Sequence, residues 1–280
     1  MKFIMTGHKG LIGSSLLEKL KRRGDEPVIL IDKRDGKDIL DIDGIELNEK
    51  VDVFIHLAAF CKINKSVENP DVVFEDNVIG TYKVLEFCRK NKIPKIIFTS
   101  SSRILSKEKN PYTASKIYGE EMCKAYSQSY GIDYIIIRPS TVYGPFNDKT
   151  ERLIDIFMRN ALKGTELKIF GNENKTLDFT YVDDFVEGIL LAMNEKNKEF
   201  DIAGGEGISI SYVADFIINL AGKGEKKFYP AEIAQPQQVK LDISEIQKLG
   251  YSPKVGIEEG LKRTFDWYKD NFEMVEEDRG

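Results

Sequence analysis

The sequence has 280 residues, a formal net charge of −5 and a hydrophobic share of 41%. This length suffices for one large domain or two smaller ones with a substantial core. The negative charge argues against nucleic acid or an anionic membrane as a partner, and no apolar run is long enough to span a bilayer. Because the first predicted strand begins at Lys2, leaving no room for a signal peptide, we expect a cytoplasmic protein.

Three cysteines, Cys61, Cys88 and Cys123, lie far apart in the sequence. An odd number at such spacing predicts neither a disulfide framework nor a metal site. We therefore expect no metal and three buried thiols.

The first twenty residues, MKFIMTGHKGLIGSSLLEKL, predict a strand, a glycine turn and a helix. The strand is Lys2–Thr6, the turn contains Gly7, Gly10 and Gly13, and residues 11–20 have apolar side chains at helical spacing. Glycine lets the backbone approach a pyrophosphate and adopt conformations that a Cβ would block. The helix start offers unpaired N–H groups to the anion. The stretch is typical of a phosphate-binding opening.

A second apolar run at 27–31 precedes Asp32, which lies 19 residues after Gly13. In dinucleotide sites an acid about 20 residues beyond the glycine turn binds a ribose hydroxyl. The two features together predict a dinucleotide site.

Strand and helix patterns alternate up to residue 138, which predicts an α/β fold with a doubly wound parallel sheet. The span between Asp32 and Val51 is short for a crossover, so any helix there is truncated or absent. The further predicted elements are a very short strand at 38–40, a strand in the apolar run 51–59, a helix at 69–92, a strand at 96–100, a helix at 111–130 and a strand at 134–138.

The alternation of predicted strands and helices becomes less regular after Gly144. We expect a helix at 151–163, a strand at 167–170 and a strand-turn-helix in DFTYVDDFVEGILLAM, where Asp183 or Asp184 caps the helix. The acidic tail after Trp267 is expected to fray. No internal repeat or low-complexity linker appears, so we expect the second lobe to pack onto the first with a ligand between them.

Tyr112 is followed four positions later by Lys116, which places both side chains on one face of the predicted helix. A nearby ammonium lowers the pKa of a phenol from its reference of about 10. Such a tyrosine can act as a general acid or base near neutral pH. The preceding strand ends in four hydroxyl residues, Thr99, Ser100, Ser101 and Ser102. A serine there can hydrogen-bond an oxygen that changes charge.

The chain resembles extended short-chain dehydrogenases/reductases of the NAD-dependent epimerase/dehydratase family over nearly its whole length. The Gly-x-x-Gly-x-x-Gly spacing after Thr6 is the form found in short-chain dehydrogenases/reductases. The matching stretches are TGHKGLIGSS, the acid Asp32, HLAA at 56–59, FTSSS at 98–102, NPYTASKIYGEE at 110–121, RPSTVYGP at 138–145, DFTYVDD at 178–184 and LGYSP at 249–253.

The resemblance implies that Tyr112 is the catalytic acid/base, that Lys116 supports it and holds the nicotinamide ribose, and that Ser101 is the third catalytic group. It implies NAD as the cofactor and a Rossmann-type sheet. The residues expected to bind NAD are Gly7, Gly10, Leu11, Ile12, Gly13, Asp32, Asp38, Ile39, Leu57, Ala58, Ala59, Tyr112, Lys116 and Pro139. Weaker candidates are Lys62, Asn77 and Ser140.

Asp32 favours NAD because a carboxylate repels the 2′-phosphate of NADP. Lys33 and Arg34 follow directly, so NADP stays as the alternative. We predict an NAD-binding Rossmann domain at 1–165, completed by part of 176–203. The remainder, 166–280, is predicted to be mainly a smaller, discontinuous C-terminal lobe that binds substrate.

The sequence departs from the family pattern in its substrate half. Leu177 stands where relatives that hold a nucleoside diphosphate sugar usually carry arginine, and Gln235 stands at a second such place in QPQQ. Thr141 replaces a usual asparagine. Either another cation supplies the lost charge or the substrate is not a usual nucleotide sugar. The candidate cations are Lys175, Arg152, Arg159 and Lys240.

The resemblance favours an NAD-dependent 4-epimerase-like enzyme that acts on a nucleotide sugar through a keto intermediate. Ser102 and Arg103 replace the acidic pair of relatives that remove water, which disfavours 4,6-dehydration. The alternatives are a reductase or dehydrogenase of a keto sugar or another small alcohol, and a non-catalytic NAD-binding regulator. The resemblance also implies a homodimer formed through the helices at 69–92 and 111–130.

Overall fold

The structure, a computed structural model, describes residues 1–231 and 241–278. Its first unit is strand β1 (Lys2–Thr6), helix α1 (Leu11–Arg22) and strand β2 (Glu26–Ile31). The apolar run of β1 is buried, and α1 turns Leu16 and Leu20 into the core. The predicted strand, turn and helix are therefore confirmed.

The described residues form eleven strands and eleven α-helices. The other strands are β3 (Val53–His56), β4 (Lys95–Thr99), β5 (Asp133–Pro139), β6 (Thr141–Tyr143), β7 (Glu166–Phe170), β8 (Thr176–Tyr181), β9 (Lys198–Ile202), β10 (Gly207–Ser209) and β11 (Glu225–Tyr229). The other helices are α2 (Ile63–Glu68), α3 (Pro70–Val73), α4 (Gly80–Lys90), α5 (Pro111–Tyr130), α6 (Leu153–Lys163), α7 (Val182–Ala192), α8 (Ile210–Ala221), α9 (Ser244–Gln247), α10 (Ile257–Asp270) and α11 (Phe272–Glu277).

A six-stranded sheet with the order β2-β1-β3-β4-β5-β9 forms the centre of the molecule. All neighbouring strands in it are parallel. The chain runs outward from β1 to β2 and then returns to β3, so the strand order reverses beside β1. The predicted Rossmann-type doubly wound sheet is confirmed. Two smaller sheets, β10-β8-β6 and β11-β7, come from the later part of the chain. The predicted domain boundaries stay a prediction.

Side chains of the central strands alternate between two hydrophobic clusters, one on each face of the sheet. Phe3 and Met5 pack with residues of α1, α6 and α7, whereas Ile4 packs with residues of α4 and α5. Because both faces are covered by helices, the strands are apolar throughout rather than alternating with polar residues. This explains why the parallel sheet was recognisable from sequence.

Two predictions about the first half were wrong in detail. Residues 38–40 do not form a strand, because the side chain of Asp38 accepts a hydrogen bond from Leu40 N at 3.0 Å and starts a 3₁₀ turn, Ile39–Gly44. The helix predicted at 69–92 is interrupted by a π-helical turn, Phe74–Ile79, between α3 and α4. The absence of an α-helical crossover between β2 and β3 is confirmed.

Three further predictions need correction. Tyr181, not Asp183 or Asp184, occupies the N-cap of α7, and Asp184 instead accepts a hydrogen bond from Val255 N at 2.9 Å. The tail after Trp267 remains helical through α11, because Val275 is buried in the core. Cys61 is exposed, whereas Cys88 and Cys123 are buried as expected. Within the described ranges, no helix is long and apolar enough to cross a membrane.

Candidate active site

A cleft of about 950 Å³ lies beyond the carboxyl ends of strands β1 to β5. It is lined by every residue predicted from the sequence to be catalytic or to bind cofactor. These are Gly7, Gly10, Leu11, Ile12, Gly13, Asp32, Asp38, Ile39, Leu57, Ala58, Ala59, Ser101, Tyr112, Lys116 and Pro139. They converge because parallel strands bring the segments that follow them to one edge of the sheet.

The weaker candidates divide into two groups. Lys62 and Ser140 line the cleft, but Asn77 does not. The side chain of Asn77 exchanges hydrogen bonds with the backbone of Phe60, at 2.8 and 3.0 Å, and donates to Ser115 Oγ at 2.9 Å. Asn77 therefore fixes the loop after β3 to helix α5, which makes it a positioning residue.

The glycine turn is too crowded for side chains. Gly7 has φ of +73°, and a Cβ there would lie 2.8 Å from Ala58 N. A Cβ on Gly13 would lie 2.1 Å from the carbonyl oxygen of Gly7. Gly10 is the N-cap of α1, and no side chain caps the first N–H groups of that helix. The turn therefore presents bare backbone donors, as an anion-binding site requires.

Thr6 and His56 join the glycine turn to the loop after β3. Thr6 Oγ1 lies 2.8 Å from His56 Nδ1 and accepts a hydrogen bond from Ala58 N at 3.1 Å. Burial lowers the pKa of His56 to about 3, so this histidine is neutral at physiological pH. The contact holds the stretches TGHKG and HLAA against each other.

Asp32 is held in place by two main-chain donors. Its carboxylate accepts hydrogen bonds from Lys9 N and Arg34 N, both at 3.0 Å. The guanidinium of Arg34 donates to the carbonyl oxygen of Lys9 at 2.7 Å. The carboxylate thus faces the cleft beside the glycine turn and is not turned away from it.

Helix α5 carries Tyr112 and Lys116 into the cleft. Asn110 and Thr113 cap its first turn reciprocally, at 2.9 and 3.0 Å, and Pro111 occupies its first position. Lys116 Nζ donates to the carbonyl oxygen of Thr99 at 2.8 Å and lies 5.1 Å from the ring centre of Phe98. Ser101 lies two residues beyond the end of β4. The three predicted catalytic residues therefore line one cleft.

The cleft fits a dinucleotide. Its glycine turn offers backbone donors and Asp32 offers a fixed carboxylate. Two buried hydroxyls that line it, Thr99 Oγ1 and Ser100 Oγ, have no hydrogen-bond partner within residues 1–231 and 241–278. Polar atoms in that state normally meet a partner from outside the chain.

The sequence model of the NAD-dependent epimerase/dehydratase family matches residues 3–203. The chain belongs to this family. A putative UDP-glucose 4-epimerase of Methanocaldococcus jannaschii is 35% identical, over 96% of this chain and 98% of that protein.

Solved structures of the family superpose on this member closely. The UDP-glucose 4-epimerase of Thermotoga maritima, solved with UDP-glucose, has a TM-score of 0.91 and 28% identity, covering 97% of this chain and all of that one. The UDP-glucose 4-epimerase of Thermus thermophilus, solved with NAD, has a TM-score of 0.87 and 29% identity, covering 96% and 99%. Since its relatives are NAD-dependent epimerases and dehydratases, this family member is an enzyme.

The pKa of Tyr112 differs from the sequence-based expectation. Burial raises the pKa of Tyr112 to about 12, against which the Ser101 hydrogen bond acts only in part. Burial lowers the pKa of Lys116 to about 8. The expected lowering of the tyrosine pKa is therefore wrong for the chain by itself, because desolvation outweighs the nearby cations.

The substrate half of the cleft contains Leu177 together with three of the four cations proposed to replace its missing charge. Each of the three already has a partner. Arg152 Nε lies 2.6 Å from Asp148, Arg159 Nε lies 2.6 Å from Glu276, and Lys175 Nζ donates to the carbonyl oxygen of Phe170 at 3.0 Å. Lys240 and the stretch Gln235-Pro236-Gln237-Gln238 lie outside the described residues.

Sequence reasoning missed Asp148 and Phe146, which also line the cleft. They belong to the loop between β6 and α6, which has no hydrophobic period. The adjacent RPSTVYGP stretch was the only available signal that this loop borders the site. Arg103 was noted only as a departure from dehydratases, yet its side chain also lines the cleft.

Proposed function

We propose that the chain catalyses NAD-dependent 4-epimerisation of a nucleotide sugar through a 4-keto intermediate. The observation that carries the proposal is the meeting of Ser101, Tyr112 and Lys116 in the cleft that also contains the glycine turn. The relatives named UDP-glucose 4-epimerase support the choice of reaction.

When bound, NAD supplies reversible hydride transfer to and from a sugar carbon. Tyr112 takes the proton from the sugar hydroxyl as the carbonyl forms and returns it when the alcohol is restored. Ser101 donates a hydrogen bond to the same oxygen. The charge of Lys116 favours the ionised form of Tyr112. Epimerisation requires the keto sugar to present its other face before the hydride returns.

Two features favour this reaction and this cofactor. Ser102 and Arg103 follow Ser101, so no acidic pair stands ready to remove water from the sugar. Asp32 is held by two main-chain donors, and its charge disfavours a 2′-phosphate. NAD is therefore the proposed cofactor, bound by the residues predicted from the sequence.

We also propose a homodimer through α3, α4 and α5. The π-helical turn Phe74–Ile79 and helix α5 both pack against α4, and each of the three exposes a large apolar side chain. Phe74 is 56% exposed, Tyr82 43% and Tyr130 55%. Exposed apolar groups of this size are typical of an interface between subunits.

The test is to incubate the purified protein with NAD and UDP-glucose, or with other nucleotide sugars. We expect the 4-epimer to accumulate without lasting NADH absorbance, and Tyr112→Phe to abolish turnover while retaining NAD. Tyr118→Phe, on the same helix but outside the cleft, serves as the matched control. Stoichiometric NADH consumption with a keto sugar would instead establish the reductase. Unchanged turnover in Tyr112→Phe would contradict both reactions.

A further inference from the structure

Arg103 is fixed beside the proposed reaction centre. It lies in the 3₁₀ turn Ser102–Leu105, whose N-cap is Ser101. The main-chain N–H of Arg103 donates a hydrogen bond to Ser101 Oγ at 3.2 Å. Its side chain is half-buried and lines the same cleft as Tyr112. The backbone contact therefore fixes the start of the Arg103 side chain two residues from the proposed catalytic hydroxyl, in the cleft that also contains Tyr112.

The guanidinium of Arg103 has no ion-pair or hydrogen-bond partner within residues 1–231 and 241–278. The other arginines that line the cleft differ in this respect. Arg34 donates to a carbonyl oxygen, and both Arg152 and Arg159 pair with carboxylates. Burial lowers the pKa of Arg103, and Tyr112 is the group that acts against that effect. A half-buried guanidinium without a counter-charge is well suited to bind an anion that enters the cleft.

The location of Arg103 limits which anion this is. The pyrophosphate of the cofactor belongs at the glycine turn, which follows β1, whereas Arg103 follows β4. The diphosphate of a nucleotide sugar is attached at C1, across the ring from C4. A reacting C4 lies between C3, which carries a hydroxyl, and C5, which carries C6, and of these two substituents C6 is the one that can be a carboxylate. A planar guanidinium matches a carboxylate with two parallel hydrogen bonds.

We propose that Arg103 binds a carboxylate at C6 of the substrate, so that the preferred substrate is a nucleotide-linked uronic acid. This inference rests on the proposed 4-epimerisation and names its substrate class. Arg103 is then a specificity-determining residue. Its guanidinium would orient the sugar through C6 and place the C4 hydroxyl against Ser101 and Tyr112.

The experiment compares UDP-glucuronate with UDP-glucose in the presence of NAD. We expect wild-type kcat/KM to be about 10- to 100-fold higher for the uronate, the range of one charge-assisted pair. Arg103→Met should remove this preference by lowering kcat/KM for the uronate while changing that for UDP-glucose less than about threefold. Arg103→Lys should restore part of the preference. Arg22→Met, an exposed arginine of α1, should behave as wild type.

Two outcomes would overturn the inference. One is equal turnover of both sugars by the wild type, and the other is an equal loss for both sugars in Arg103→Met. Binding to Tyr112→Phe, measured by calorimetry with NAD present, separates this inference from the proposed reaction because binding needs no turnover. If Tyr112→Phe binds UDP-glucuronate more tightly than UDP-glucose, and Tyr112→Phe/Arg103→Met binds both equally, the inference is supported even if the reaction is not epimerisation. Equal affinities contradict it.

Discussion

Lys116 Nζ donates a hydrogen bond to the main-chain carbonyl oxygen of Thr99 at 2.8 Å, which ties helix α5 to the end of strand β4. Both residues are buried. The bond places the lysine where it can support Tyr112, and it requires an ammonium to be kept away from water. This arrangement makes the stability of the protein depend on pH.

Burial lowers the pKa of Lys116 to about 8, whereas a lysine in an unfolded chain titrates near about 10.4. Between these values the unfolded state binds more protons, so stability rises with pH. We expect the free energy of unfolding of the wild type, relative to Lys116→Met, to increase by about 2 kcal/mol from pH 7 to pH 10. Urea denaturation at several pH values measures it. Parallel pH dependence in the two proteins would contradict the buried charge.

Gly13 should be needed both for stability and for NAD binding. Because a Cβ there would lie 2.1 Å from a backbone oxygen, Gly13→Ala should lower the free energy of unfolding by about 1–3 kcal/mol and abolish NAD binding. In Gly10→Ala the nearest atom to the new Cβ is 3.4 Å away, so the ligand-free protein should keep its melting temperature. Thermal unfolding without ligand, followed by calorimetric titration with NAD, distinguishes the two variants. Equal melting temperatures would contradict the crowding.

Asp32 should determine the choice between NAD and NADP. Asp32→Ser removes the negative charge while keeping an acceptor for Lys9 N and Arg34 N. We expect kcat/KM with NAD to fall and the affinity for NADP to rise, because Arg34 then meets the 2′-phosphate without repulsion. Asp41→Asn, at an exposed position outside the cleft, should change neither. If Asp32→Ser has the same preference for NAD over NADP as the wild type, Asp32 does not determine the choice of cofactor.

The buried ion pair between Arg138 and Glu120 should stabilise the contact between β5 and α5. Arg138 Nε lies 2.8 Å from Glu120 Oε1 and joins β5 to α5, and the Glu120 side chain is only 4% exposed. Glu120→Gln should lower the free energy of unfolding by about 2 kcal/mol, since Arg138 loses one of its carboxylate partners while Glu199 and Asp201 remain beside it. Glu121→Gln, one residue further and 67% exposed, should change it by less than about 0.5 kcal/mol. Urea unfolding of both variants gives the comparison.

Phe74 should be essential for the proposed dimer. Phe74→Glu should convert a species of twice the chain mass into a monomer, because a charge would be buried in an apolar interface. Phe228→Glu alters a similarly exposed aromatic side chain on β11 and should leave the mass unchanged. Light scattering after size-exclusion chromatography measures both. A wild type that is already monomeric would rule the interface out.

Much of the fold was predictable because the information is local. The strands of the central sheet are apolar runs, and Gly7 and Gly13 occupy positions where a side chain does not fit. Pro111–Tyr130 was predicted without error, since Pro111 and Gly131 mark its ends in the sequence. The π-helical turn at Phe74–Ile79 and the 3₁₀ turn after Asp38 were missed, because each depends on hydrogen bonds that the hydrophobic pattern does not encode.

The sequence by itself determined the family, the main strands and helices of the parallel sheet, and the predicted catalytic and cofactor residues that line the cleft, because spacing and residue type carry these directly. Only the tertiary structure decided the electrostatics. Desolvation depends on what surrounds a group, and so the pKa of Tyr112 rises although a lysine lies one helical turn away. For the same reason, only the folded chain reveals that Arg152 and Arg159 are paired, while Arg103 lines the cleft without a counter-charge among the residues that the structure describes.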